Sequence, residues 1–311
     1  MFIKVEPVSS FLGDNSKYDM VLGLSGGESV APNFVDAASS QILANSFNPQ
    51  QGEALPDRLK FILSRAFYHT DISWSTAPII LLLPQMHTQH GMHNNDELYR
   101  ILFSHLCEAI VDLKNHPQCY LFPYGRSALI LAWNKIISLM KEHEFVWVLA
   151  VDSDPRFREL EGSSKSNSGL IANETVLLTK FIRSKNGLNC SWHSIEAQTR
   201  DKQPSVAVES LFNRFKRQGG EPVQQFYVPY LDHESGVTEW ANVYSALHPY
   251  VGINTQIVMT GATVGELGAS SSLYNFLSIY ESYRSAKHAG VTLQLEASEK
   301  LYRALAFYTW H

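Results

Sequence analysis

Three histidines recur at steps of three, His87, His90 and His93, inside the run Gln85-Met86-His87-Thr88-Gln89-His90-Gly91-Met92-His93-Asn94-Asn95-Asp96-Glu97. Neutral imidazoles beside carboxylates are the ligand types of zinc and related metals. Steps of three, however, rotate successive side chains around a helix, and Gly91 in the middle favours a loop. A solvated loop after a buried strand is the preferred reading, and no bound metal or other cofactor is expected. The turn Leu24-Ser25-Gly26-Gly27-Glu28-Ser29 has the glycines of a phosphate-binding loop but neither the GxGxxG spacing nor the lysine. The GxSxG elbow of hydrolases is missing, and Gly125-Arg126-Ser127 is only a partial echo of it.

The elements that would carry such groups are legible from hydrophobic patterning. Short unbroken apolar runs, Ile79 to Leu83, Phe145 to Val151 and Thr175 to Leu178, have the length of strands buried on both faces. Between them, residues 58–67, 98–113 and 126–140 repeat apolar side chains at three and four positions, the helical period. The second half has the same grammar: helical over 209–217, 238–247 and 271–283, extended over 225–229, 256–259, 291–296 and 303–308. Alternation of strand and helix gives an α/β class. Residues 161–168 (EGSSKSNS) read as a loop, and the polar segment 200–205 (RDKQPS) divides the chain into 1–204 and 205–311. No short-period repeat is visible, which disfavours solenoids and propellers.

Composition narrows the functions. Across 311 residues, 25 Lys and Arg stand against 30 Asp and Glu, a net charge of −5, which excludes a nucleic-acid binder working through bulk positive charge. Apolar residues at 45% are enough for a large core. Cys107, Cys119 and Cys190 are too few and too scattered for a disulfide framework, so a reducing cytoplasm is the expected location. No basic-then-apolar leader opens the chain and no run of eighteen apolar residues occurs, so no membrane span is expected.

The segment Thr260-Gly261-Ala262-Thr263-Val264-Gly265-Glu266-Leu267-Gly268-Ala269-Ser270 follows an extended apolar run and precedes a helix. Here the chain resembles the ketosynthase branch of the thiolase superfamily, in which a strand ends in a T-G-H-T-L-G-A-like turn. The resemblance continues through Gln118 to Leu129 and the following helix, which is similar to the family's strand, nucleophile elbow and buried helix. It extends to Phe145 to Ser153, to Ser168 to Ala172 with the strand after it, and to Tyr230-Leu231-Asp232-His233-Glu234-Ser235-Gly236. It implies a layered αβαβα thiolase-like fold made of two similar halves, and a dimer formed by the edge strand near Cys119 to Phe122.

The same resemblance locates what is missing. The nucleophilic cysteine's position falls within Phe122 to Gly125, on Tyr124; the histidine of the glycine-rich turn matches Ala262; and Ile257 and Val258 stand where the family has a lysine. His233 matches the family's first histidine. The chain also stops at His311, where family members usually carry a further glycine-rich loop and strand. Tyrosine, with a pKa of roughly 10, is a poor substitute for a thiolate. Tyr124, His233 and Ala262 are therefore expected to be vestigial positions of a pseudoenzyme. Its implied role is protein recognition. The preferred partner is a type VI secretion effector or its adaptor, as for thiolase-like accessory proteins that help load effectors; the alternative is a silent subunit paired with an active ketosynthase. An active acyl-transfer enzyme using Cys119 or Ser127, with His233 as base, is the catalytic alternative, and a metal enzyme built on His87, His90 and His93 is the least favoured.

Overall fold

A computed structural model describes residues 1–24, 29–37, 40–47, 54–68, 70–85, 95–157, 170–199, 203–230, 239–299 and 301–311. His87, His90 and His93, the Gly26-Gly27 turn, the 161–168 loop and His233 lie outside the described residues.

The strands are β1 (Phe2–Leu12), β2 (Asn33–Ala37), β3 (Ser40–Asn45), β4 (Ile79–Leu82), β5 (Cys119–Phe122), β6 (Phe145–Ser153), β7 (Ala172–Ser184), β8 (Leu188–Ala197), β9 (Val223–Tyr227), β10 (Gln256–Val258), β11 (Val291–Ala297) and β12 (Tyr302–Trp310). The helices are α1 (Tyr18–Val21), α2 (Leu55–Ala66), α3 (Asn95–Ala109), α4 (Ala128–Glu142), α5 (Pro204–Gln218), α6 (Thr260–Val264) and α7 (Ser271–Arg284). Within 238–247, read as helical, residues 239–241 are helical and Tyr244–Leu247 form a 3₁₀ turn.

Sheet order reveals an internal duplication. The path runs β10-β9-β11-β12-β8-β1-β7-β6-β4-β5. In each half the order is third, second, fourth, fifth, first strand. In each, the second strand pairs in parallel with the third and fourth, while the fifth is antiparallel to both its neighbours. The two five-stranded units meet at one residue pair, Ile3 with Leu188. The second round of this order begins with β8, upstream of the 204/205 division read from sequence polarity. The β2–β3 hairpin stands off the main path and joins β7 through Ala44 and Asn45.

Alternation along the strands builds three apolar layers. Ile80 and Leu82 of β4, with Val148 and Ala150 of β6, face a central core with Leu129, Trp133 and Ile136 of α4 and Leu273, Phe276 and Leu277 of α7. Their neighbours Ile79, Leu81, Trp147 and Leu149 turn the other way, onto Leu59 and Ile62 of α2 and Leu102 and Leu106 of α3. On the far side, Phe226, Leu293 and Leu305 pack on Leu211, Phe212 and Phe215 of α5. The result is helix, sheet, helix, sheet, helix. A period of two within the strands lets both faces be apolar, which is why β4 and β6 are continuous hydrophobic runs.

The two central helices touch through Trp133 and Phe276, whose ring centroids are 5.5 Å apart. Sandwiched between sheets, α7 buries ten residues, among them Asn275 and Glu281. Buried polar groups require partners, and those partners define the site.

Candidate functional site

The site forms where the N-termini of α4 and α7 approach one another. β5 ends at Phe122, and Pro123-Tyr124-Gly125 turn the chain into a 3₁₀ turn (Gly125–Ser127) that runs on into α4. Gly125 has φ +57°, a left-handed conformation that a side chain disfavours, so the glycine sets the sharpness of this elbow. Tyr124, the position matched to the nucleophile, is half-buried, its ring edge-on to Tyr302 at 5.1 Å and to Phe122 at 6.1 Å.

Groups from the second half pin the elbow. The Ser298 hydroxyl, just past β11, donates to the Tyr124 carbonyl and accepts the Ser127 N–H at 3.1 Å. Ser127 is wholly buried, and its hydroxyl donates at 3.4 Å to the carbonyls of Glu296 and Tyr302. The Leu129 N–H donates to the Ser272 hydroxyl at 3.2 Å. The converse arrangement holds at α7: Asp152, at the end of β6, accepts the Ala269 N–H on its carboxylate. Each half's fourth strand thus supplies the cap for the other half's buried helix. Capping satisfies N–H groups that a helix start leaves without partners, and an acidic cap also suits the positive end of the dipole.

Gly268 makes the second cap possible. Its φ is +49°, and a Cβ there would overlap the Asp152 carboxylate.

Across the junction Arg126 reaches Glu266 in a bidentate pair, Nε to Oε1 at 3.0 Å and an amino nitrogen to Oε2, with side chains only 12% and 16% exposed. The same carboxylate accepts the Gly268 N–H at 2.7 Å. Burial alone would raise the Glu266 pKa, but the Arg126 charge and hydrogen bonds outweigh it and hold the carboxyl below its usual range. The loop is held from below by the Glu266 N–H on the Ile171 carbonyl (2.9 Å) and Asn173 Nδ2 on the Val264 carbonyl (2.9 Å).

Beneath lies Glu296, fully buried, accepting from Ser271 Oγ (3.0 Å), Asn275 Nδ2 (2.8 Å) and Gln294 Nε2 (2.7 Å). Desolvation pushes its pKa up to about 7 against those hydrogen bonds and the Arg126 charge.

A cleft of about 290 Å³ opens beside the Arg126–Glu266 pair, lined by Pro84 and Gln85 after β4, Asp152, Asp154 and Pro155 at the end of β6, and Gly125, Leu267 and Glu299. It lies at the carboxyl ends of β4 and β6, from which the chain leads to β5 on one side and to β7 on the other. In open α/β sheets that is where a crevice forms.

Of the positions singled out from sequence, Tyr124 is at this elbow, whereas Ala262 sits exposed on α6. Cys119 is half-buried on β5, and burial pushes its thiol up to about 12, with Cys107 nearby adding to the rise. Among the described residues no group of three or more His, Cys, Asp or Glu could hold a metal ion, and no helix is long and apolar enough to cross a membrane. Among the described residues strand β5 is the last strand of the sheet path, so Cys119 to Phe122 lie at its edge, as expected. Arg126, Asp152, Glu266 and Glu296 were not picked out by sequence reasoning. The usable signal was the glutamate inside G-E-L-G-A-S, which a search for the family histidine at 262 passes over.

No family model matches the chain, and no curated protein does. Solved structures do. The ishigamide ketosynthase/chain length factor superposes with a TM-score of 0.64 at 14% identity over 100% of this chain and 99% of that one. OleA of Xanthomonas campestris with bound lauric acid and lauroyl-CoA gives 0.55 at 10% identity over 100% of both. The 3-oxoacyl-(acyl-carrier-protein) synthase III of Aquifex aeolicus VF5 gives 0.51 at 13% identity over 99% of each. Identities this low speak to fold alone, and on that level the duplicated strand order, the layers and the superpositions agree: the chain has the thiolase-like fold of the ketosynthase-type condensing enzymes.

Proposed function

We propose that this chain is a non-catalytic thiolase-like protein that works by recognition, as an adaptor or co-adaptor in loading a type VI secretion effector. The observation that carries the non-catalytic part is the elbow itself. Tyr124, which the sequence resemblance matches to the nucleophile, has its ring packed on Tyr302, and the helix N–H groups beside it are engaged by Ser298 and Ser272. Acyl transfer needs a thiolate or an activated hydroxyl. Cys119 is held protonated by burial, and Ser127 points its hydroxyl at two carbonyls. The adaptor role rests on the sequence resemblance described above.

A second reading is favoured by a different observation. The similarity to a ketosynthase/chain length factor, together with the place of β5 at the edge of the described sheet, suits a silent subunit that pairs with an active condensing enzyme. Two measurements test these readings. Incubation with acyl-CoA or acyl-carrier protein, followed by intact mass, is expected to leave the chain unmodified; an acyl adduct on Cys119 or Ser127 would overturn the non-catalytic reading. Co-expression with a type VI effector and its adaptor is expected to give a co-eluting complex, whereas co-elution with a full-length ketosynthase instead would replace the first reading by the second.

A further inference from the structure

We propose that the cleft between the ends of β4 and β6 receives one basic side chain, an arginine or lysine, from the protein partner. The inference rests on the recognition reading, though not on which partner is the right one.

Size comes first. At about 290 Å³ the cleft lies at the lower limit of small-molecule pockets, room for one extended side chain.

Charge comes second. Among the described residues, Asp152, Asp154, Glu266 and Glu299 line it against a single lining cation, Arg126; counting also Arg156, which is bound to Asp154 by Nε at 2.9 Å, four carboxylates meet two guanidinium groups. Asp152 and Asp154 are themselves buried, and the apolar walls contributed by Leu55 and Pro84 lower the local dielectric, so this excess of negative charge acts strongly on whatever enters.

The third observation is independent of charge. Gln85 lines the same cleft, and its Oε1 is shielded from solvent with no donor among the described residues in reach. A buried acceptor left without a donor is unfavourable, and a guanidinium or ammonium, made only of donors, is the group that would satisfy it.

An anion is the poorer fit. Arg126 is already held at both of its facing nitrogens by Glu266, so an incoming carboxylate or phosphate would have to displace that partner while facing Asp152 and Glu299. An acyl chain would strip water from buried carboxylates without replacing it.

The test uses Nα-acetyl-arginine methylamide and Nα-acetyl-lysine methylamide as probes, with the uncharged citrulline analogue and Nα-acetyl-glutamate methylamide as controls, titrated calorimetrically and by chemical-shift change. Saturable binding of the basic probes is expected, weakening as salt rises, with the controls silent. Gln85→Met is the informative variant. Removing an unpartnered acceptor should leave the melting temperature unchanged or raised while weakening the arginine probe about fivefold, the loss of one hydrogen bond. Equal binding of the citrulline analogue, no saturation by about 10 mM, or a Gln85→Met variant that loses stability and keeps full binding would each overturn the proposal. Binding of the arginine probe by a chain that also takes up an acyl group would uphold the cleft and overturn the recognition reading, so the two fail separately.

Discussion

Glu296 offers a quantitative test of the buried junction. Its carboxyl is fully enclosed beneath the elbow, and desolvation, opposed by donors from Gln294, Asn275 and Ser271 and by the Arg126 charge, leaves its pKa at about 7. In the unfolded chain a glutamate titrates near 4.3. Between these values the native state keeps a proton that the unfolded state has released, so stability falls as pH rises from about 4.5 through about 7. Above that window the whole penalty is present; below it both states are protonated and it vanishes. A shift of two to three pH units corresponds to roughly 3 kcal/mol. Glu296→Gln should remove this dependence without disturbing the geometry. The amide oxygen can take the place of Oε1 and keep the Asn275 and Gln294 donors, while the amide nitrogen donates to the Ser271 hydroxyl, which turns to accept. Urea unfolding across the range is the assay. The variant is expected to exceed the parent by roughly 3 kcal/mol at about pH 8, with the gap closing by about pH 5. His193 and His288, whose pKa values burial lowers, tilt both curves alike and drop out of the difference. A gap that stays constant with pH, or a variant less stable at the alkaline end, would refute the argument.

Further perturbations test this and other contacts of the fold. Gly268→Ala places a Cβ on the Asp152 carboxylate at a left-handed φ and breaks the α7 cap, so a loss of about 3 kcal/mol or more is expected in thermal unfolding. Gly252→Ala, where a Cβ meets nothing within 4 Å, is the control and should change stability by less than about 0.5 kcal/mol. Arg58→Met leaves the fully buried Glu174, now bound by Arg58 Nε at 2.6 Å, as an uncompensated charge and should cost about 3–5 kcal/mol; adding Glu174→Gln should recover most of that in a double-mutant cycle. Cys119, with its thiol held up to about 12, should be alkylated by iodoacetamide at about pH 8 more than about a hundredfold slower than a free thiol, and a rapid first-order burst on that residue would contradict its burial.

What could be read from the sequence was whatever hydrophobic period carries. The continuous runs that became β4, β6 and the start of β7 announced strands apolar on both faces, and the turn at 260–270 announced an elbow ahead of a buried helix. β1 and β8 escaped because KVEPVS and CSWHSI interleave polar residues with apolar ones, which suits strands near the joint between two sheets but dilutes any run. The site was legible only in its backbone. Tyr124 and the glycines mark where the chain turns, yet the groups that act there pair across great sequence distance, Arg126 with Glu266 at a separation of 140 residues; outside the site, Arg58 pairs with Glu174 at 116. No periodicity spans such gaps; they are set by the duplicated topology, which brings the end of one half's fourth strand to the start of the other half's helix. Matching by motif directed attention to 262, where the side chain is exposed, and away from 266, where the charge is.

On the proposed non-catalytic reading, the capping pattern accounts for a condensing-enzyme-like fold that carries no condensing chemistry. Stabilising a developing oxyanion requires N–H donors aimed at a position that is open in the ground state, since donors already satisfied gain nothing in the transition state. In this chain the donors at the helix starts have permanent acceptors: Ser127 and Leu129 give theirs to Ser298 and Ser272, Gly268 to Glu266 and Ala269 to Asp152. Every one of those acceptors is a side chain, and two are carboxylates, so the junction gains stability from groups that a catalytic site would have to leave waiting for substrate. Two of the capping groups, Asp152 and Glu266, also line the neighbouring cleft. Glu266 belongs to both cap and cleft: it neutralises Arg126 on one side and lines the cleft on the other.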